Sequence, residues 1–261
     1  MKGKRWRALL ALSFCCLLPW GALGQQAVEP LEVAQPLEGM WTYPQGVSPE
    51  EAGYVLRYAY PQFVAATEAD QAINAYYQAV CQDLQNLLLP QNAEEILSLR
   101  EPGDPPYSAD LSWQVTSNTG QYLSVILSNK QFFGRTETES LQANVFARDG
   151  MYAGQMVSLS QVIGLEQEGG EFDARSSYAS QLVYKLVWEI IRQQRASRQI
   201  DFLEGLTQER LQAQFSPETD FYLDEEENLV FFLQSGTIAS EVEGYLTYPF
   251  SVAELLSAAR E

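Results

Sequence analysis

Two short glycine-bearing turns constrain this chain more than any other feature. Leu111–Thr116 and Gln121–Leu127 are β-prone segments on either side of Asn118-Thr119-Gly120, and Leu141–Phe146 and Met151–Val157 stand likewise around Arg148-Asp149-Gly150. Glycine there supplies the positive φ that a tight hairpin needs, so the flanking segments are predicted to pair antiparallel. Phe221–Leu223 and Leu229–Leu233 repeat the arrangement around Asp224–Asn228, and Tyr245–Phe250 makes a last strand.

Helical spacing fills the rest. Tyr54–Tyr60 reads as a strand that Pro61 terminates. Thr67 with Asp70 forms a capping box, and Ile73, Tyr76, Tyr77, Val80, Cys81, Leu84 and Leu88 then recur on one helical face up to Pro90. A further helical turn is expected over Asn92–Leu99, a loop over Arg100–Pro106 and a short apolar segment at Val162–Leu165. Ala174–Arg195 is the second long helix, buried along Leu182, Val183, Leu186, Val187 and Ile190, with Arg192 and Arg195 suited to its carboxyl end. Thr207 opens a short helix to Phe215, and Ser251 with Glu254 caps a final one.

Strands and helices are grouped rather than alternating. The expected class is therefore α+β, with antiparallel sheets, two long amphipathic helices and two subdomains, and not a doubly wound nucleotide fold. The one internal boundary suggested is Gly134–Glu139. The chain then divides into a leader at 1–24, a linker at 25–49, a smaller α+β domain at 50–134 and a larger one at 135–261.

Lys2, Lys4, Arg5 and Arg7 precede an apolar run from Ala8 to Leu18, which Pro19, Trp20 and Gly21 break before Ala22-Leu23-Gly24. This is a secretory signal with cleavage expected between Gly24 and Gln25. The run is about eleven residues, short of the roughly 20 that cross a bilayer; extended through Leu23 it would be a marginal uncleaved anchor. Cys15 and Cys16 do not make a lipoprotein signal, because Phe14 stands where a small residue is required. Gln25–Pro49, rich in Pro, Gln and Glu, reads as a linker. The expected location is the extracytoplasmic envelope or the medium.

Cleavage takes the four basic residues with it, leaving 12 lysines and arginines against 34 acidic residues, a net charge of −22. Such a field repels nucleic acid and anionic lipid and steers in cationic partners; it also keeps an exported protein soluble. Cys81 alone remains, so no intrachain disulfide forms, which points to a bacterial source. Its place on a helical stripe makes it a small core residue.

There is no histidine. That excludes Ser-His-Asp and Cys-His catalysis and histidine-ligated zinc. Phosphate-binding glycine motifs and the nucleophile elbow are absent too. No cofactor or metal is called for, and no catalytic residue stands out. Paired carboxylates, or a Ser-Lys dyad, remain possible in principle, but the acids are too many to choose among. Asp224-Glu225-Glu226-Glu227 lacks calcium-loop spacing and reads as a solvated turn; Asp104, Asp110, Glu166, Glu168 and Glu171 read as loop acids. Trp41, Tyr43, Tyr107 and Trp113 suit either a sugar surface or the core.

The last third, TDFYLDEEENLVFFLQSGTIASEVEGYLTYPFSVAELL at Thr219–Leu256, resembles the end of the RsiV-type extracellular domain, a bacterial family. SLSQVIGL at Ser158–Leu165 and the helix Ser177–Arg195 fit its middle. LRYAYPQF at Leu56–Phe63 with AINAYYQ at Ala72–Gln78 resembles the smaller domain that precedes it. The resemblance implies an α+β envelope protein that binds rather than catalyses; the best-understood members are anti-sigma factors whose outer part receives lysozyme, and others accompany a peptidoglycan deacetylase. The partner so implied is a basic extracellular protein such as lysozyme, or peptidoglycan. Two loops depart from the family: FFGRTETESL at Phe132–Leu141 stands in place of Gly-Gly-Ala-His, and Ser240-Glu241 in place of Pro-Tyr. Partner specificity resides in such loops. The expected contact residues are therefore Asp224, Glu225, Glu226 and Glu227 in one turn and Ser240, Glu241 and Glu243 in the other. The rival readings are a carboxylate wall hydrolase and an accessory structural protein.

Overall fold

A computed structural model describes residues 29–98, 100–101, 103–166 and 177–260. The expected cleavage pair Gly24/Gln25 and the loop acids Glu168 and Glu171 lie outside the described residues.

Three long strands dominate the first half. β3 (Tyr107–Asn118), β4 (Tyr122–Phe133) and β5 (Thr136–Ala147) form an antiparallel meander. The first expected hairpin is present at Thr119–Gln121, with the Thr119 N–H donating to the Tyr122 carbonyl at 2.8 Å. β4 and β5 turn tightly at Gly134, and their register is unbroken from Phe133↔Thr136 to Tyr122↔Ala147. The five-stranded sheet therefore runs straight across residues 134/135, where the sequence suggested a boundary. The partner expected for Leu141–Phe146 is not a strand: beyond Arg148, Met151–Val157 is a looping turn that touches β5 through one bridge, Phe146↔Met156. Gly150 and Gly154 both have positive φ, and at Gly154 an added Cβ would lie 3.1 Å from the Ala69 backbone. The chain is thus bent away from ladder geometry.

β2 (Tyr54–Tyr60) pairs parallel with β3, and β1 (Leu37–Tyr43) pairs antiparallel with β2, giving the order β1-β2-β3-β4-β5. Two expectations are corrected here. The sheet is mixed rather than antiparallel, because a helical crossover returns β3 beside β2 in the same direction. The second half of the supposed linker is an edge strand.

The crossover is α1 (Glu68–Asp83), a π-helical turn at Leu84–Leu88, and α2 (Leu89–Ser98). Thr67 caps α1 as expected: its Oγ1 accepts from the Asp70 N–H at 3.1 Å, and Asp70 Oδ2 accepts from the Thr67 N–H at 3.0 Å. Pro90 does not end the helical arm. It has no N–H for the carbonyl four residues back, and the widened turn, with the Leu89 N–H donating to Leu84, accommodates it. Ile73, Tyr77 and Cys81 from α1 pack on Tyr60, Leu123, Val125, Leu127 and Phe146 of the sheet. Farther along the same face, Leu89 of α2 meets Tyr54, Leu56, Tyr107 and Ala109, with Trp41 and Tyr43 against that cluster.

Alternation puts the other residues of β4 and β5 on the opposite face, and there the second half docks. Val145 and Ala147 join a core with Leu182, Val183, Val187 and Ile191 of α4 (Tyr178–Ser197; α3 is the turn Leu159–Val162). It is completed by α5 (Gln208–Gln214) and by a sheet ordered β6 (Phe221–Leu223), β7 (Leu229–Leu233), β8 (Leu246–Phe250), with α6 (Val252–Ala258) after it. All five residues of β7 are buried; at about 1.5–3 kcal/mol for each large apolar side chain removed from water, this strand anchors the second core. Thr207, Ser251 and Glu254 cap their helices as the sequence implies. No helix among the described residues is long and apolar enough to cross a membrane.

Candidate ligand cleft

The two acidic loops singled out in the sequence lie at opposite ends of β7. Asp224–Asn228 precedes that strand and Ser240–Glu243 follows it, so roughly 17 Å of strand separates them. Each is tied into the fold. Asp224 Oδ1 accepts from the N–H groups of Glu226 and Asn228, both at 2.9 Å, closing an Asx turn. Glu227 has a φ of 61° and accepts from Thr119 Oγ1 at 2.8 Å, while Glu225 and Glu226 face solvent. At the other end Ser240 donates to the Asp201 carbonyl and Glu243 accepts from the Asp201 N–H; Glu241 is exposed beside Gly236. After this loop, burial pushes the Tyr245 phenol up to about 12, helped by the nearby charge of Glu139. Of the aromatic residues considered for a sugar surface, Tyr107 is buried and Trp41, Tyr43 and Trp113 are half-buried against the cores.

A concavity lies elsewhere, along the outer edge of β5. It is a cleft of about 400 Å³ between Leu141–Val145 and the start of β6, closed at one end by Met156 and Val157. Three features shape it, none of them expected from the sequence. First, the Gln234 side chain sits beside β5 like a fragment of strand: its Oε1 accepts from the Leu141 N–H at 3.0 Å, and its Nε2 donates to the Leu141 carbonyl at 2.7 Å. Second, the turn after Arg148 covers the far end of the edge, with Val157 N–H donating to the Val145 carbonyl and Gly154 N–H to that of Ala147, both at 2.8 Å. Third, Glu218 holds the floor. It is 1% exposed and accepts from the Ser160 N–H at 2.9 Å and from the hydroxyls of Ser160 and Ser177, each at 2.5 Å. Those donors place the amino ends of α3 and α4 against one carboxylate, as the helix dipoles favour.

Between the two covered stretches lies Ala143. Gln234 is 93 residues from Leu141, and Glu218 looks in sequence like any loop acid before a strand; only tertiary placement makes them parts of a cleft. Among the described residues no group of three or more Cys, Asp and Glu side chains could hold a metal ion.

No protein-family model matches the sequence, and no curated protein does. Solved structures do resemble the fold. A DUF3298 family member from Bacteroides fragilis NCTC 9343 aligns with a TM-score of 0.48 at 14% identity, over 89% of this chain and all of that one. A DUF3298 family protein from Pseudomonas aeruginosa PAO1 aligns with a TM-score of 0.51 at 13% identity, over 88% of this chain and 94% of that one. At that identity the likeness concerns architecture, and the α+β arrangement described above is that of the Pseudomonas protein.

Proposed function

We propose that this chain is an exported, non-catalytic binding module of a bacterial envelope, and that the cleft beside β5 is where it holds a cell-wall ligand. The observation that carries the reading is the uncovered length of backbone at Ala143, set in a cleft of about 400 Å³, within the roughly 300–1,000 Å³ common for small-ligand sites. Glu218, the buried acid of the cleft, is engaged by three donors from two serines, which suits a structural carboxylate better than an acid or base awaiting substrate. Export rests on the leader, and a bacterial source on the absence of a disulfide-forming cysteine pair in the mature chain.

A second reading has its own support. Glu225 and Glu226 project from the β6–β7 turn of a chain with net charge −18 before any processing, so a basic protein of the lysozyme kind would be drawn to that end. Calorimetry of the mature protein with muramidase-released peptidoglycan fragments and with lysozyme, at low and moderate salt, separates the two. Wall fragments should bind with little salt dependence. Heat from neither titrant at low salt, or release of reducing sugar from peptidoglycan by the protein, would remove the proposal. Sequencing the amino terminus of protein recovered from its native cell should read from Gln25.

A further inference from the structure

We propose that the β5 cleft takes the peptide part of a wall fragment, held as an extended two-residue segment with an acyl group before it and an amide after it. The inference rests on the cleft being the ligand site and specifies what it takes. In an antiparallel edge strand every second residue turns both its N–H and its C=O away from the sheet. Leu141, Val145 and Ala147 belong to that set, since their outward groups bond Gln234, Val157, Gln155 and Gly154. The register with β4 carries no bulge, so Ala143 belongs to it as well. Gln234 occupies both outward groups of Leu141, and Val157 occupies the Val145 carbonyl. Three consecutive groups stay open between them: the Ala143 N–H, the Ala143 C=O and the Val145 N–H. None of the three meets a partner among the described residues.

Donor, acceptor, donor must be answered by acceptor, donor, acceptor at strand spacing. A single trans amide cannot do so, because its C=O and N–H point opposite ways. An extended peptide can: the N–H and C=O of one residue lie on the same side of the strand as the C=O of the residue two before it. The match holds in both directions. Antiparallel, one ligand residue bonds both groups of Ala143; parallel, it bonds the Ala143 C=O and the Val145 N–H. Either way, the ligand's next N–H would meet a carbonyl already bonded, that of Leu141 or of Val145. Pairing therefore stops at about 7 Å, which is an acyl carbonyl, one residue facing away and one facing β5. The residue facing away turns its own groups to the opposite wall, where Phe221 lines the cleft. In β6, Asp220 and Asp224 bond toward the β7 side, through Phe232 N–H to Asp220 and Asp224 N–H to Asn228, both at 3.0 Å. Phe221 and Leu223 alternate with them and turn away from β7; Leu223 N–H reaches Ser124 Oγ at 3.0 Å, while the Phe221 groups meet no partner among the described residues. Charge selects the ending. Glu218 and Asp220 line the cleft and no lysine or arginine does, so the last carbonyl belongs to an amide in preference to a free carboxylate.

The test is a titration of the 15N-labelled mature chain with N-acetyl-alanyl-alanine methylamide and with its depsipeptide, in which lactic acid replaces the second alanine. The peptide should move the Ala143 and Val145 amide protons downfield together and saturably. The depsipeptide has the same shape but an ester oxygen where the peptide donates to the Ala143 C=O, and should bind about 3–10-fold more weakly. Ala143→Pro removes one donor at an edge position that tolerates proline, and should weaken the peptide by a similar factor at unchanged melting temperature. The ester comparison uses the unaltered protein, so it decides the matter if that variant does not fold. Muramidase-released peptidoglycan fragments are titrated before and after an amidase strips their peptides, and stripping should abolish the shifts at Ala143 and Val145. Equal affinity of peptide and depsipeptide, or cleft shifts that survive stripping, overturns the peptide inference while leaving the cleft as a binding site. If no cleft resonance moves with the model peptide or with intact fragments, the cleft assignment itself falls.

Discussion

Replacing Arg148 with methionine should be the most damaging polar substitution in this protein, and its size follows from burial. Arg148 and Asp70 form an ion pair at 3.1 Å with side chains 1% and 0% exposed. Arg148 Nη1 also donates to the carbonyls of Glu29 at 2.8 Å and Thr119 at 2.6 Å, so one guanidinium joins the amino-terminal segment, the start of α1 and the β3–β4 turn. Removing it strands a buried carboxylate, which costs about 3–5 kcal/mol. For a chain of this size that corresponds to a melting temperature lower by about 6–20 °C. Burial alone would raise the Asp70 pKa; the hydrogen bonds from Arg148 and Thr67, the charge of Arg148 and the Ala66 N–H outweigh it and hold the carboxyl below its usual value. A carboxyl depressed in the folded state stabilises the fold above its unfolded pKa, near about 4, and that contribution disappears as pH falls through the lower folded value. In Arg148→Met the sign reverses, because Asp70 would rather be protonated. Urea unfolding from pH 7 to pH 4 should therefore show the deficit of the variant narrowing on acidification. Asp70→Asn combined with Arg148→Met should be less damaging than the sum of the two single changes, by about 0.5–3 kcal/mol. A deficit under about 1 kcal/mol, or one constant with pH, would refute the reasoning.

Three further substitutions probe the parts that shape the cleft and its supports. Gln234→Ala removes two hydrogen bonds to Leu141; it should cost about 1–3 kcal/mol in chemical denaturation and speed amide exchange at Leu141, and unchanged exchange there would count against the strand-like role of the carboxamide. Glu218→Ala strips Ser160 and Ser177 of their acceptor and should lower stability by about 1.5–3 kcal/mol, whereas a loss below about 0.5 kcal/mol would show the floor of the cleft held by other means. Gly154→Ala places a Cβ against the Ala69 backbone at a φ of +80°; backbone cannot yield as a side-chain tip can, so at least about 1 kcal/mol should be lost, measured as the shift in urea midpoint at constant m. Cys81 is buried, its thiol pKa pushed up by burial despite a hydrogen bond from Gln85; a thiol reagent should label it slowly in buffer and fast in urea, and rapid native labelling would contradict its place in the core.

What the sequence made legible was whatever rests on neighbours in the chain. Thr67 with Asp70 and Ser251 with Glu254 cap their helices because both partners lie within one turn. Asp224–Asn228 turns as read because the Asp224 side chain bonds amides two and four residues on. β1 was hidden because Leu37–Tyr43 follows a Pro- and Glu-rich stretch, and an edge strand with one partner needs little pattern of its own. The parallel pairing of β2 with β3 is set by a helical crossover of 46 residues, Pro61–Pro106, whose direction no local motif encodes. The turn Arg148-Asp149-Gly150 had the composition of a hairpin, yet Arg148 is drawn into the core by Asp70, 78 residues away. The cleft was the least legible part. It exists because of strand parity and a glutamine far along the chain, and neither leaves a motif.

These placements also decide how the two binding readings differ in solution. The exposed acids Glu225 and Glu226 face water, where salt screens charges beyond about 8–10 Å, so a basic partner held there must weaken steeply as ionic strength rises. A neutral wall fragment in the β5 cleft draws on hydrogen bonds to backbone and contact with Met156 and Val157, neither of which depends on mobile ions. One protein can carry both properties because the cleft lies on the β5 edge, while the acidic turn lies at the outer end of the β6–β7 hairpin and is bound to Thr119 at the β3–β4 turn. The salt dependence of binding therefore reports which end of the molecule is engaged, before any complex is resolved. A wall fragment whose affinity fell with salt as steeply as that of lysozyme would place the glycan on the acidic turn, and Ala143 would then have no part in holding it.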